Sequence, residues 1–185
     1  MPAAVSWAQS SDAAIELLKS SAASGNRDAQ YQLGHAYSQG AGVPRNGQRA
    51  AYWFQKAALQ CSGPAMDELG ALYLAGDGLD RNQETAAQYF RLAAAERNPA
   101  GLFDWGLALY ENRAFIEDAV DDSNVAPGCA MLDMAKDRVV LTSSTGEALH
   151  ASDADLLKPL GLRFMHQAAD LGEPRARKML QGLRK

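Results

Sequence analysis

Cysteine is scarce in this 185-residue chain: Cys61 and Cys129 are its only two. No C-x-x-C pair exists, so neither a zinc site nor a thioredoxin-type motif is indicated. Two thiols allow one bridge, but spacing alone does not bring them together, and the expectation is two unpaired thiols. Long hydrophobic runs are absent too. None approaches the ~20 apolar residues of a membrane-crossing helix, so no membrane span is expected. Positive charge is not in excess: 18 Lys and Arg stand against 22 Asp and Glu, for a net charge of −4. Without a basic stripe, a nucleic-acid partner is not expected. Met1-Pro2-Ala3-Ala4-Val5 has neither the basic start nor the apolar stretch of a signal peptide. If Met1 is the native start the protein is cytoplasmic; if a signal peptide was trimmed it is periplasmic or exported.

Catalytic signatures are missing as well. There is no GxGxxG, GxxxxGK, HExxH or GxSxG, and no EF-hand spacing. His35, His150 and His166 are scattered. No catalytic residue, cofactor or metal ligand is expected. Asp121, Asp122, Asp153 and Asp155 read as loop aspartates, which usually bind no cation.

What is present is a 36-residue repeat. Leu33-Gly34, Leu69-Gly70 and Trp105-Gly106 recur at that spacing, as do Tyr37 and Tyr73, Phe54 and Phe90, and Ala57-Ala58 and Ala93-Ala94. A fixed period of this length means stacked supersecondary units, which offer an extended surface more readily than a sealed pocket. In the first unit Ala29, Leu33, Ala36 and Tyr37 share one face of a helix A over 28–38. Gly40-Ala41-Gly42 breaks it, and Val43 can plug the gap between helices. Asn46 caps a helix B carrying Ala50, Trp53, Phe54, Ala57 and Ala58, and Asn82 has the same role in the next unit. Ala14, Leu17, Leu18 and Ala22 lie 36 residues before Ala50, Trp53, Phe54 and Ala58, so the repeats open on a lone helix B. Gly34, Gly70 and Gly106 each cost a helix about 1 kcal/mol relative to Ala. Their recurrence predicts a neighbour too close for a Cβ.

These residues resemble the Sel-one-like repeat, a relative of the tetratricopeptide repeat. That family's pattern is A-x-x-x-L-G-x-x-Y, a G-x-G-[VL] turn, then A-x-x-[WY]-F-x-x-A-A. It is met here by Ala29, Leu33, Gly34, Tyr37, Gly40, Gly42, Val43, Ala50, Trp53, Phe54, Ala57 and Ala58. The resemblance covers about residues 12–110 and 159–182. It implies an all-α, right-handed α-solenoid of antiparallel helix pairs with one irregular insertion. It also implies a non-catalytic adaptor, scaffold or regulator of a protein or peptide partner, of a kind common in bacteria. The single domain divides into a half-unit (12–26), repeat 1 (27–62), repeat 2 (63–98), repeat 3 (99–172) and a C-terminal helix (173–185). A monomer is expected, and an inhibitor or immunity-type protein is a sharper version of the same reading.

Repeat 3 departs from the pattern after Leu109. Asn112 and Ala114 replace the turn glycines, and the helix-B signature returns late, as Phe164, Met165, Ala168 and Ala169. Pro159 fits the first turn of that helix. Residues of about 111–157 are either an insertion or a degenerate unit built on Cys129, Met131 and Met134. The alternative function, an enzyme or metal-binding accessory protein, would place its site there, with Cys129 and His150. The acidic residues Glu111, Glu117, Asp118, Asp121 and Asp122, and the basic tail 173–185, read as solvated segments unless they pair with each other. On ideal A helices Tyr31 and His35, then Asp67, then Phe103, Leu107 and Tyr110 point away from the core. Helix A of repeat 3 should thus expose an apolar face, covered by the insertion or lining a partner groove. The candidate partner-binding residues are Tyr31, His35, Asp67, Phe103, Leu107 and Tyr110.

Overall fold

The computed structural model of the chain describes residues 4–111 and 154–183, with side chains from 13 to 111 and from 157 to 183. Among the described residues there are eight helices and no strand: α1 (Ala4–Ala23), α2 (Arg27–Gln39), α3 (Gly47–Ala58), α4 (Gly63–Ala75), α5 (Gln83–Ala95), α6 (Pro99–Tyr110), α7 (Ala154–Asp170) and α8 (Pro174–Leu183). Each helix packs on the next in sequence, and α4 also touches α6. This nearest-neighbour pattern is that of a helical-repeat solenoid.

Local chemistry sets the boundaries. The side chains of Asn26, Asn46, Asn82 and Asn98 each accept a hydrogen bond from the backbone N–H three residues on, at 2.8–3.0 Å, and Ser62 does so at 3.4 Å. Each satisfies one orphan donor of a first turn. The two caps expected from sequence, Asn46 and Asn82, are among them. At the other end, Gly40 and Gly76 adopt φ of 76° and 73° and bond back to Ala36 and Leu72, so α2 and α4 stop where a left-handed residue is needed. The turns between units need the same conformation at 25, 61 and 97. Glycine fills only the first; Cys61 and Arg97 hold φ of 63° and 55° there. An L-residue pays roughly 1–2 kcal/mol for this.

Within each pair the expected close approach is present. A Cβ on Gly34 would lie 2.6 Å from the Phe54 ring, and one on Gly70 would lie 2.6 Å from the Phe90 ring. In the third pair Gly106 faces Gly161, whose carbonyl oxygen would be 2.8 Å from an added Cβ. Leu33, Phe54, Met66, Leu69, Leu109 and Met165 are fully buried along this axis, and Val43 plugs its turn. The interior is divided in two. One apolar cluster joins α1 to α4 with Leu92 and Ala93 of α5; the other joins α5 to α8.

Three expectations are corrected. Helix α7 begins at Ala154, so Pro159 lies inside it and not in its first turn. An interior proline lacks a helical donor; extensive packing of α7 on α6 offsets that loss. Cys61 is in a disulfide, against the expectation of an unpaired thiol. Phe103 is only 6% exposed, so α6 does not present it as part of an open apolar face. The degenerate-unit residues, the acidic positions 117–122, and the pair Cys129 and His150 lie outside the described residues.

Candidate functional site

Three A helices, α2, α4 and α6, line up one face, and the start of α8 closes its far end. Arg175, in the first turn of α8, donates from Nη1 and Nη2 to the two carboxylate oxygens of Asp104 at 3.1 and 3.0 Å. Its Nε donates to Glu173 Oε1 at 2.8 Å. The guanidinium also lies 4.8 Å from the centre of the Phe103 ring. A bidentate carboxylate below a cation–π contact is a strongly directional arrangement.

Next along the face is Asp67, within hydrogen-bonding reach of Asp104. Its Oδ1 is buried without a hydrogen-bond partner. Burial, and then the charge of Asp104, push its carboxyl up to about 8, against the opposing pull of Arg175. Burial also raises the carboxyls of Asp104 and Glu68. Glu68 Oε1 lies 3.6 Å from His35 Nε2. His35 meets Tyr31 edge-on at 5.9 Å, and Tyr31 packs at 5.8 Å from Phe54. Burial, Glu68 and Asp67 together raise the Tyr31 hydroxyl. Beyond Tyr31 the surface opens into a cleft of about 460 Å³ lined by Arg27, Asp28, Ser62, Pro64 and Asn98.

The structure thus brings together Tyr31, His35, Asp67 and Phe103 of the sequence-derived set, but not Leu107 and Tyr110. Leu107 borders a cavity of about 50 Å³ with Leu74 and Phe90. Tyr110 packs against Gly161 of α7. Sequence reasoning missed Glu68, Asp104 and Arg175. Glu68 and Asp104 are 36 residues apart, so the repeat register carried a signal for them. Nothing in the register pointed to Arg175. A second concavity, lined by Ile15, Leu17, Leu18, Ala29 and Gly42, lies between α1 and α2, with Leu17 72% exposed.

The row of carboxylates can bind cationic groups and repel anionic ones. Among the described residues no cluster of His, Cys, Asp or Glu is arranged to hold a metal ion, and no helix is long and apolar enough to cross a membrane.

Comparison with known proteins agrees with this architecture. A Sel1 repeat protein from Oxalobacter formigenes is 26% identical, covering 91% of this chain and 97% of that one, with a TM-score of 0.58. A protective antigen present in uropathogenic Escherichia coli strains, which displays an SLR fold, superposes with a TM-score of 0.63 at 22% identity. It shares the fold; the match covers 90% of this chain but only 27% of that longer one. A search of curated proteins finds no match. The Sel1 repeat model matches residues 8–26, 27–60, 63–98 and 154–173, which together exceed half the chain. The chain therefore belongs to the Sel1 repeat family.

Proposed function

We propose that this protein is a non-catalytic binding module, an adaptor, scaffold or regulator, that docks a basic segment of a protein partner along the face formed by α2, α4 and α6. Sel1 repeat proteins are generally protein-interaction modules. The observation that carries the reading is the charge of this face. Glu68, Asp104 and Glu173 stand against one guanidinium, Arg175, with Asp67, Tyr31 and His35 beside them. Complementary charge of this kind steers encounter and fixes register. A partner contributing lysine or arginine side chains would find carboxylates and an aromatic edge in one row.

The disulfide at Cys61 supports an oxidising compartment, and with it the periplasmic or exported reading over the cytoplasmic one.

The test is affinity capture from the native host with the parent chain and with a Tyr31→Ala, His35→Ala, Glu68→Lys variant. The expected result is a protein held by the parent, lost from the variant and released by rising salt, whose binding segment maps to a lysine- or arginine-rich stretch. A partner retained equally by the variant, or bound through an acidic segment, would refute the reading.

A further inference from the structure

The two apolar clusters meet near α4 and α5, and a polar link bridges them on the A-helix face. Asp67 belongs to α4, whose Ala65, Met66 and Leu69 complete the first core. Asp104 belongs to α6, whose Leu102, Phe103 and Trp105 sit in the second. We propose that Asp67 and Asp104 hold one proton between them across this seam, and that its loss loosens the joint between α4 and α6.

The geometry places the proton. Arg175 engages both oxygens of Asp104 and keeps it a carboxylate. Asp67 has no such partner, and its Oδ1 is buried and unsatisfied. A buried carboxyl beside a carboxylate is more stable protonated, donating its O–H to its neighbour. The direction agrees: the contact raises the carboxyl of Asp67 and lowers that of Asp104, while burial acts upward on both. The other groups that interact with Asp67 are Tyr31 from α2, Glu68 from α4 and Arg175 at the start of α8; His35 faces Glu68, and Glu173 acts on Asp104. From α5, Phe90 packs against Gly70. Ionisation of Asp67 therefore sets it against Asp104 and Glu68, with one shared guanidinium to oppose them.

The sign follows from proton counts. The closed joint retains a proton that an opened joint, with Asp67 in water, releases near pH 4. Opening therefore becomes up to about tenfold more frequent per pH unit between pH 4 and 8, and levels off above that.

Two measurements on the full chain test this. Carboxyl ¹³C NMR should show Asp67 titrating at least two pH units above an ordinary aspartate, and Asp104→Asn should lower that midpoint. Hydrogen exchange, corrected for the intrinsic rate, should show α4 and α6 amides opening more often as pH rises, and Asp67→Asn should remove that slope. An Asp67 midpoint near 4, a midpoint unmoved by Asp104→Asn, or an unchanged exchange slope in Asp67→Asn would each overturn the proposal. The titration on the unsubstituted chain stands even if a variant does not fold.

Discussion

Gly70→Ala is the sharpest test of how the helix pairs are held. An added Cβ would lie 2.6 and 2.7 Å from two Phe90 ring carbons and 3.1 Å from the Ala86 carbonyl oxygen. Carbon contacts are comfortable at ~3.5–4.0 Å, so the ring must retreat by about 1 Å. It has little room, being 6% exposed within the second core. Overpacking of this kind costs about 1–3 kcal/mol, while replacing a helical glycine by alanine returns about 1 kcal/mol of propensity. The net expectation is a loss of about 1 kcal/mol, or ~2–4 °C in Tm for a chain of this size. Gly182→Ala is the control, since a Cβ there meets nothing within 4 Å and only the propensity gain remains. The two substitutions should have opposite signs in urea unfolding followed by circular dichroism. Phe90→Leu should lose stability alone but relieve part of the Gly70→Ala cost in a double-mutant cycle. If Gly70→Ala stabilises as Gly182→Ala does, the ring does not set the spacing and the explanation of the repeated glycine fails.

The other expectations are smaller or depend on conditions. Gly70→Leu, adding three more carbons to the same gap, should lower Tm well beyond the alanine variant in a thermal scan. Asn82→Ala removes the acceptor for the Thr85 N–H and should cost about 1 kcal/mol in urea unfolding. Native Asp67 holds a proton up to about pH 8 that the unfolded chain releases near 3.8. Its contribution is therefore full below pH 3.8 and is lost as pH rises towards 8, with a slope of up to about 1.4 kcal/mol per unit. Urea midpoints at pH 5 and pH 8 should differ in that direction, and the difference should shrink in Asp67→Asn. Reduction, or Cys61→Ser, should lower stability by about 2–4 kcal/mol; a Tm indifferent to reductant would contradict a structural role for the bridge.

The repeated scaffold was legible because its determinants are local. A cap needs an asparagine beside a first turn, and a stop at 40 or 76 needs a glycine. Both leave a mark at fixed spacing. The ring-on-glycine contacts were legible too, since Gly34 with Phe54 and Gly70 with Phe90 recur in register. The site was legible only in part. Tyr31, His35 and Asp67 follow from helical geometry, but the partner of Asp104 comes from a residue 71 positions away, outside the repeat pattern. That same residue lies over the Phe103 ring, and Phe103 is buried in the second core, so an ideal helix wheel overstates the exposure of α6. Position 61 misled for a related reason. Its backbone belongs to a turn that Gly25 fills in the preceding unit, while its sulfur answers to a contact no spacing rule encodes.

The divided interior gives the chain a profile of stabilities along its length, because an array of units can open at a weak junction before it unfolds as a whole. The three tryptophans are Trp7, Trp53 and Trp105, and the last two fall on opposite sides of the division. Trp53 packs against the first core and Trp105 is buried in the second. Each half thus carries its own fluorophore. With Trp7 replaced by phenylalanine, chains retaining only Trp53 or only Trp105 would record two denaturation curves from one molecule. The gap between those curves measures how tightly the halves are coupled.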